Sequence, residues 1–173
     1  MTKHNAKRKL FFGGLVLLIC CYFLWTLRPV NILRAGGRYS SDPAFGSGIT
    51  AGSQRGFTDR EDYDIAVDHM PLTERGRIHW YLEHKAELKS RYHIPETASY
   101  GIVFWDIGSG FIDINKSGNG DLVCFKKVDE SANCLEKNLL LAVDFTEGKQ
   151  EEFTFYDSDH TWAVDDNGRV MPQ

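Results

Sequence analysis

Three groups of residues have the types that metal or acid–base chemistry uses. The first is His79, Glu83 and His84. His79 and Glu83 stand four residues apart and would share one face of a helix, but His84 is five from His79, about 140° around the axis. A zinc-protease helix needs two histidines at i and i+4 with the Glu between them. The two imidazoles here diverge, so no metal is expected. The second group lies in "DINKSGNGD", where Asp113, Asn115, Ser117 and Gly118 match the opening of a calcium loop. The twelfth position, which should carry a bidentate Glu, is Cys124, and a hairpin turn explains the stretch better. The third is Asp157, Asp159, Asp165 and Asp166 beside His160. Paired carboxylates act as general acid and base when they converge in a cleft, yet "DSDH" and "DDNG" are also turn sequences. The chain has no G-x-S-x-G elbow and no glycine-rich phosphate fingerprint. The expectation is a protein without catalytic residues, metal or cofactor.

The elements that would position these residues begin with a basic tail. The first nine residues, "MTKHNAKRK", hold four of the 20 Lys and Arg and none of the 24 Asp and Glu, leaving 16 against 24, a net charge of −8. No clustered basic face remains to neutralise phosphates, so a nucleic-acid partner is not expected. "LFFGGLVLLICCYFLWTL", residues 10–27, follows without a charge. As a helix it would measure roughly 27 Å at about 1.5 Å per residue, close to a hydrocarbon core of about 30 Å. It ends without the small residues of a signal-peptidase site, and a transmembrane anchor is expected. Lys3, Lys7, Arg8 and Lys9 favour a cytoplasmic N-terminus, which places the remainder in the periplasm of a bacterium, on the outer face of the inner membrane.

Residues 28–63 read as a juxtamembrane strand in "RPVNILRA" and then a glycine-rich flexible loop from Gly36 to Asp62. Residues 64–173 read as the periplasmic domain. "YDIAVDHM" alternates as a strand does. In "MPLTERGRIHWYLEHKAELKSRYHIP", Thr73 is a good N-cap, Glu74 suits the first turn, Lys89 and Arg91 suit the last, and Ile94-Pro95 stops the helix. Ile78, Tyr81, Leu82, the stem of Lys85, Leu88 and Tyr92 form an apolar stripe opposite Arg77, Glu83, Glu87 and Arg91. Downstream the period changes to two in "SYGIVFWDI", "GFIDINK", "DLVCFKKV", "NLLLAVDFT", "EEFTFYDS" and "TWAVDDNGRV". The loops between them are short, which implies antiparallel neighbours. The fold class expected is α+β: a single transmembrane helix, then one amphipathic helix packed on an antiparallel sheet of about five or six strands.

Cys124 and Cys134 are the only thiols of the outward domain. In an oxidising compartment they would form a disulfide, the alternative being two buried free thiols. Trp80 and Trp105 are expected to turn outward as partner-binding anchors, with Asp157 and Asp159 adding charge.

The basic tail, the anchor ending in "LRPV", the helix stretch, "ASYGIVFWDIGSGF" and the spaced cysteines resemble an enterobacterial family of membrane proteins of unknown function. The resemblance covers nearly the whole chain apart from the glycine-rich loop. It implies a short single-pass inner-membrane protein and supplies no catalytic residues. The functional expectation is a non-enzymatic, membrane-held binding protein, most specifically an immunity protein that masks a toxin. The alternatives are an assembly factor of an envelope complex and an envelope hydrolase using the acidic C-terminal cluster.

Overall fold

A computed structural model of the chain describes residues 3–26, 28–38, 60–115, 121–125, 132–156, 158, 160–165 and 168–173. It divides into two units, residues 1–30 and 31–173. The first contains helix α1, Lys3–Thr26. Leu10, Phe11, Leu17, Leu18, Phe23 and Leu24 are exposed, so the helix is apolar on every side from residue 10 to 25. Among the described residues, no helix is long and apolar enough to cross a membrane. The expected anchor over residues 10–27 is therefore not shown by the structure.

The second unit contains β1 (Ile32–Arg38), β2 (Arg60–Val67), α2 (Glu74–Tyr92), β3 (Ser99–Asp106), β4 (Leu122–Cys124), β5 (Cys134–Glu136), β6 (Leu139–Phe145), β7 (Glu152–Thr154), β8 (Trp162–Val164) and β9 (Val170–Pro172). Seven strands form one sheet in the order β1-β2-β3-β6-β7-β8-β9, and β4 and β5 form a two-stranded sheet. The α+β class is observed, but the wholly antiparallel sheet is corrected to a mixed one, because β2 and β3 are parallel. The cause is α2, which carries the chain back along the sheet before β3 begins. Parallel neighbours need such a crossover, and the short-loop reasoning applied only to later connections.

Three further strand expectations change. The described residues of "GFIDINK" make only a bridge between Ile112 and Cys134, because Asp113 Oδ1 accepts from the Asn115 amide at 2.9 Å and turns the chain. "TWAVDDNGRV" is two strands, reversed where Gly168 takes a φ of 75°, and β5 lies in a stretch read as loop. Of the Gly36–Asp62 loop, the first residues belong to β1 and the last to β2, while 39–59 fall outside the described residues.

Both helix ends follow their sequence signals. Thr73 Oγ1 accepts from the Gly76 amide at 3.1 Å, Glu74 sits in the first turn, and Lys89 and Arg91 sit in the last. His93 closes the helix in the left-handed region at φ 56°. Ile78, Tyr81 and Leu88 are buried as the stripe predicts.

Two cores result, one on each face of the sheet. On the α2 face, Tyr81 meets Phe104 and Phe153 edge-on at 6.1 and 5.8 Å. On the other, Ala66, Trp105, Val123, Phe125 and Leu135 pack together, bringing the β4–β5 hairpin over one end of the sheet. With both faces covered, five consecutive residues of β2, from Tyr63 to Val67, are buried, as parallel strands usually are.

Candidate functional site

Glu151 immediately precedes β7, two residues from the buried Phe153 and so on the same face, toward α2. It is 9% exposed. Its Oε1 accepts from the Tyr81 hydroxyl at 2.7 Å and the Tyr100 hydroxyl at 2.6 Å, and Lys85 Nζ lies 3.0 Å from both carboxylate oxygens. The Lys85 ammonium also stands 5.8, 5.6 and 5.9 Å from the ring centres of Tyr81, Tyr100 and Phe145, within cation–π range. Thus α2 and β3 both converge on one buried carboxylate.

Burial, followed by the charge of Glu151, pushes the Tyr81 hydroxyl far above its ordinary value. Burial and the hydrogen bond to Glu151 push Tyr100 up as well. For Lys85 burial works downward, but its hydrogen bonds and attraction to Tyr100 and Glu151 prevail and hold the ammonium above its ordinary value. A general acid or base works best with a pKa near the operating pH. These three groups are moved away from it, so the arrangement suits a pin between α2 and the sheet rather than proton transfer.

A second feature lies on the opposite face. Asp62, Gly101, Asp144 and Glu152 are successive partners across β2, β3, β6 and β7, so they form one row on one face. Arg60 lies across this row, donating to Asp144 Oδ1 at 2.9 Å and Oδ2 at 2.6 Å and bonding Asp62 Oδ1 at 3.3 Å. A side chain at Gly101 would collide with Asp62 Oδ1 and the Arg60 guanidinium, so the glycine makes room for the bridge. Three carboxylates against one guanidinium leave the row acidic, with Asp62 and Asp144 side chains 45% and 54% exposed. Like charges in a cross-strand row oppose one another.

The residues singled out in the sequence fare differently. The Cys124–Cys134 disulfide is present. Trp80 and Trp105 are buried, at 9% and 7% exposure, which corrects their assignment as surface anchors. Trp80 stacks on His84 at 4.6 Å and meets Phe104 edge-on at 5.9 Å, because the helix contact is wider than the single stripe. Trp105 is covered by the β4–β5 hairpin and donates from Nε1 to the buried Asp64 at 2.7 Å. Asp157, Asp159 and Asp166 fall outside the described residues. Asp165 binds Arg169, accepting from its amide at 2.8 Å and its Nε at 2.9 Å. His79 and Glu83 are exposed, while His84 Nδ1 donates to the Trp80 carbonyl at 2.8 Å. Asp113 spends one oxygen on Asn115, whereas Ser117 and Gly118 fall outside the described residues. Among the described residues, no three His, Cys, Asp or Glu side chains come together as a metal site.

The Glu151 cluster was missed, though a signal exists. In "EEFTFY", Glu151 keeps step with Phe153 and Phe155, both buried, so strand alternation turns it inward.

The class defined by this architecture is a small α+β domain preceded by a separate apolar helix. The chain belongs to the family described as "Enterobacterial putative membrane protein (DUF943)", whose model matches residues 4–172. No curated protein and no solved structure matches it.

Proposed function

We propose that this chain is a non-enzymatic binding protein, held in the inner membrane by residues 10–27 with its C-terminal domain in the periplasm, where it masks a basic protein partner such as a toxin. The observation that carries the reading is the exposed row Asp62–Asp144–Glu152, laid across four strands with a single arginine among the described residues bridging two of its members. Such a row costs self-repulsion in the free protein and gains on meeting a cationic surface, which also speeds encounter. The net charge of −8 beyond residue 9 acts in the same direction. The stretch of α1 from residue 10 to 25, apolar all round, is suited to lipid, and the family description agrees with membrane residence.

The test is crosslinking of tagged full-length protein in living cells, followed by mass spectrometry of the joined residues. A soluble basic partner joined near Asp144 and Glu152 supports the proposal. Reversing both charges, Asp144→Lys with Glu152→Lys, should then lower its capture at least tenfold. Undiminished capture would remove the acidic row from the account, and recovery of the full chain in the carbonate-extracted soluble fraction would remove the anchor.

A further inference from the structure

We propose that the Cys124–Cys134 disulfide is a latch: when a dithiol reduces it, the β4–β5 hairpin lifts from the sheet and uncovers an apolar face around Trp105, while the α2 core stays folded. β4 and β5 have three residues each and pair only with one another in their sheet. An isolated two-stranded hairpin of that size is marginal in water. Its ties to the rest of the unit are few among the described residues. Ile112 and Cys134 exchange two backbone hydrogen bonds, at 2.7 and 3.1 Å, and the Arg34 guanidinium donates to the Ala132 carbonyl at 3.2 Å. Beyond these it is held by side-chain packing: Val123, Phe125 and Leu135 bury against Ala66 and Trp105 with Val103, Phe111 and Leu139 beside them, Phe125 meets Phe111 edge-on at 6.0 Å, and Leu122 and Cys134 are also buried.

The α2 core uses none of these residues. Tyr81, Phe104 and Phe153 pack on the other sheet face, so loss of the hairpin leaves their contacts in place. The two sulfur-bearing residues also differ in access: Cys134 is 0% exposed and Cys124 is partly exposed. An attacking thiolate therefore bonds to Cys124 Sγ, breaking the S–S bond and releasing Cys134 as a thiolate that takes up a proton. The second thiol of the dithiol then displaces Cys124 from the mixed disulfide. Two electrons pass to the protein, which gains two thiols, and the dithiol becomes a disulfide. What is uncovered includes Ala66, Val103, Trp105 and Leu139, an apolar surface.

The test is amide hydrogen exchange of the full chain in detergent micelles, oxidised and after dithiothreitol, together with the Cys124→Ser, Cys134→Ser double variant. The Ile112, Phe125 and Cys134 amides, all hydrogen-bonded in the hairpin region, should exchange at least tenfold faster after reduction. Those of α2 and β3 should not change, and reoxidation should restore the original rates. Unchanged protection in the hairpin would overturn the latch. Equal acceleration in α2 would overturn it in the other direction, making the disulfide a staple of the whole domain. Because reduction acts on protein already folded, a folding failure of the double variant does not decide the matter. Trapping with glutathione and acid quenching should give the adduct on Cys124, and an adduct mainly on Cys134 would refute the direction of attack.

Discussion

Replacing Glu151 with Ala should be among the most damaging single changes in the domain. Two buried hydroxyls, on Tyr81 and Tyr100, lose their acceptor. An unsatisfied buried donor costs about 1–3 kcal/mol. Lys85, its side chain 39% exposed, can turn to water, so its lost ion pair adds little. The expected loss is about 3–5 kcal/mol, a large part of the roughly 5–15 kcal/mol that holds a domain folded. Guanidinium unfolding of the oxidised chain in detergent, followed by tryptophan fluorescence, measures it. The sharper check is the size of a second change. In the Glu151→Ala background the Tyr81 hydroxyl has lost its charged acceptor and keeps the neighbouring Tyr100 hydroxyl as a partner, so adding Tyr81→Phe should cost little, whereas in the wild-type background Tyr81→Phe removes a bond to a charged group and should cost about 1.5–3 kcal/mol. If Tyr81→Phe destabilises both backgrounds equally, or if Glu151→Ala costs less than about 1 kcal/mol, the carboxylate is not the organising group of this cluster.

The same cluster fixes the alkaline behaviour. Tyr81, Tyr100 and Lys85 all have folded values raised above the ordinary 10.0, 10.0 and 10.5. Their contribution is complete below about pH 10 and is lost as pH rises through the folded values. The unfolding midpoint should fall above pH 10, and more gently in Glu151→Ala. At the acid end, burial alone would raise Asp68, but the backbone and side-chain amides of Asn31 and the His69 ring outweigh it and hold the carboxyl at about 2, from 3.8. That stability is present above pH 3.8 and is lost as pH falls toward 2, so Asn31→Ala should flatten the acid limb of a pH titration of the unfolding midpoint. Trp105→Phe removes the 2.7 Å bond to Asp64 and should cost about 1–3 kcal/mol in the same denaturant assay. Gly101→Ala presses on the ends of two flexible side chains and should cost less than about 1 kcal/mol, since the ion pair it displaces is part-exposed.

The helix was legible almost residue by residue because its signals are local. Thr73, Glu74, Lys89, Arg91 and Ile94-Pro95 act within a turn of their own positions, and the stripe of Ile78, Tyr81 and Leu88 needs only the helical period. Trp80 was misplaced because period says which residues share a face, not how wide the partner surface is. Phe104 reaches far enough around α2 to cover Trp80 as well. Trp105 went wrong for a related reason. Strand alternation sets it opposite Phe104, and the inference that opposite means outward holds only for a sheet covered on one side. The missing cover is the β4–β5 hairpin, whose second strand lay in a stretch read as loop because three residues carry too little pattern to be seen.

Parallel pairing of β2 and β3 was hidden in plain view. A strand, a 19-residue helix and a strand are the parts of a crossover, and the clue was the near-continuous burial of "YDIAV" rather than an alternation. The polar residues obey the same logic. Glu151, just before β7, and Asp64, in β2, each stand two places before a buried apolar residue, Phe153 and Ala66, and neither shows its partner in the local sequence: Tyr81 is 70 residues from Glu151 and Trp105 is 41 from Asp64. Sequence periodicity could mark both carboxylates as inward, and only the crossover and the hairpin decide what they meet there. The acidic row differs, for its members become neighbours through the register of four strands, and no spacing within any one strand announces it. An interaction surface built this way is invisible until pairing is known, which is why the anchors chosen from aromatic type proved to be core and the charged row was not chosen at all.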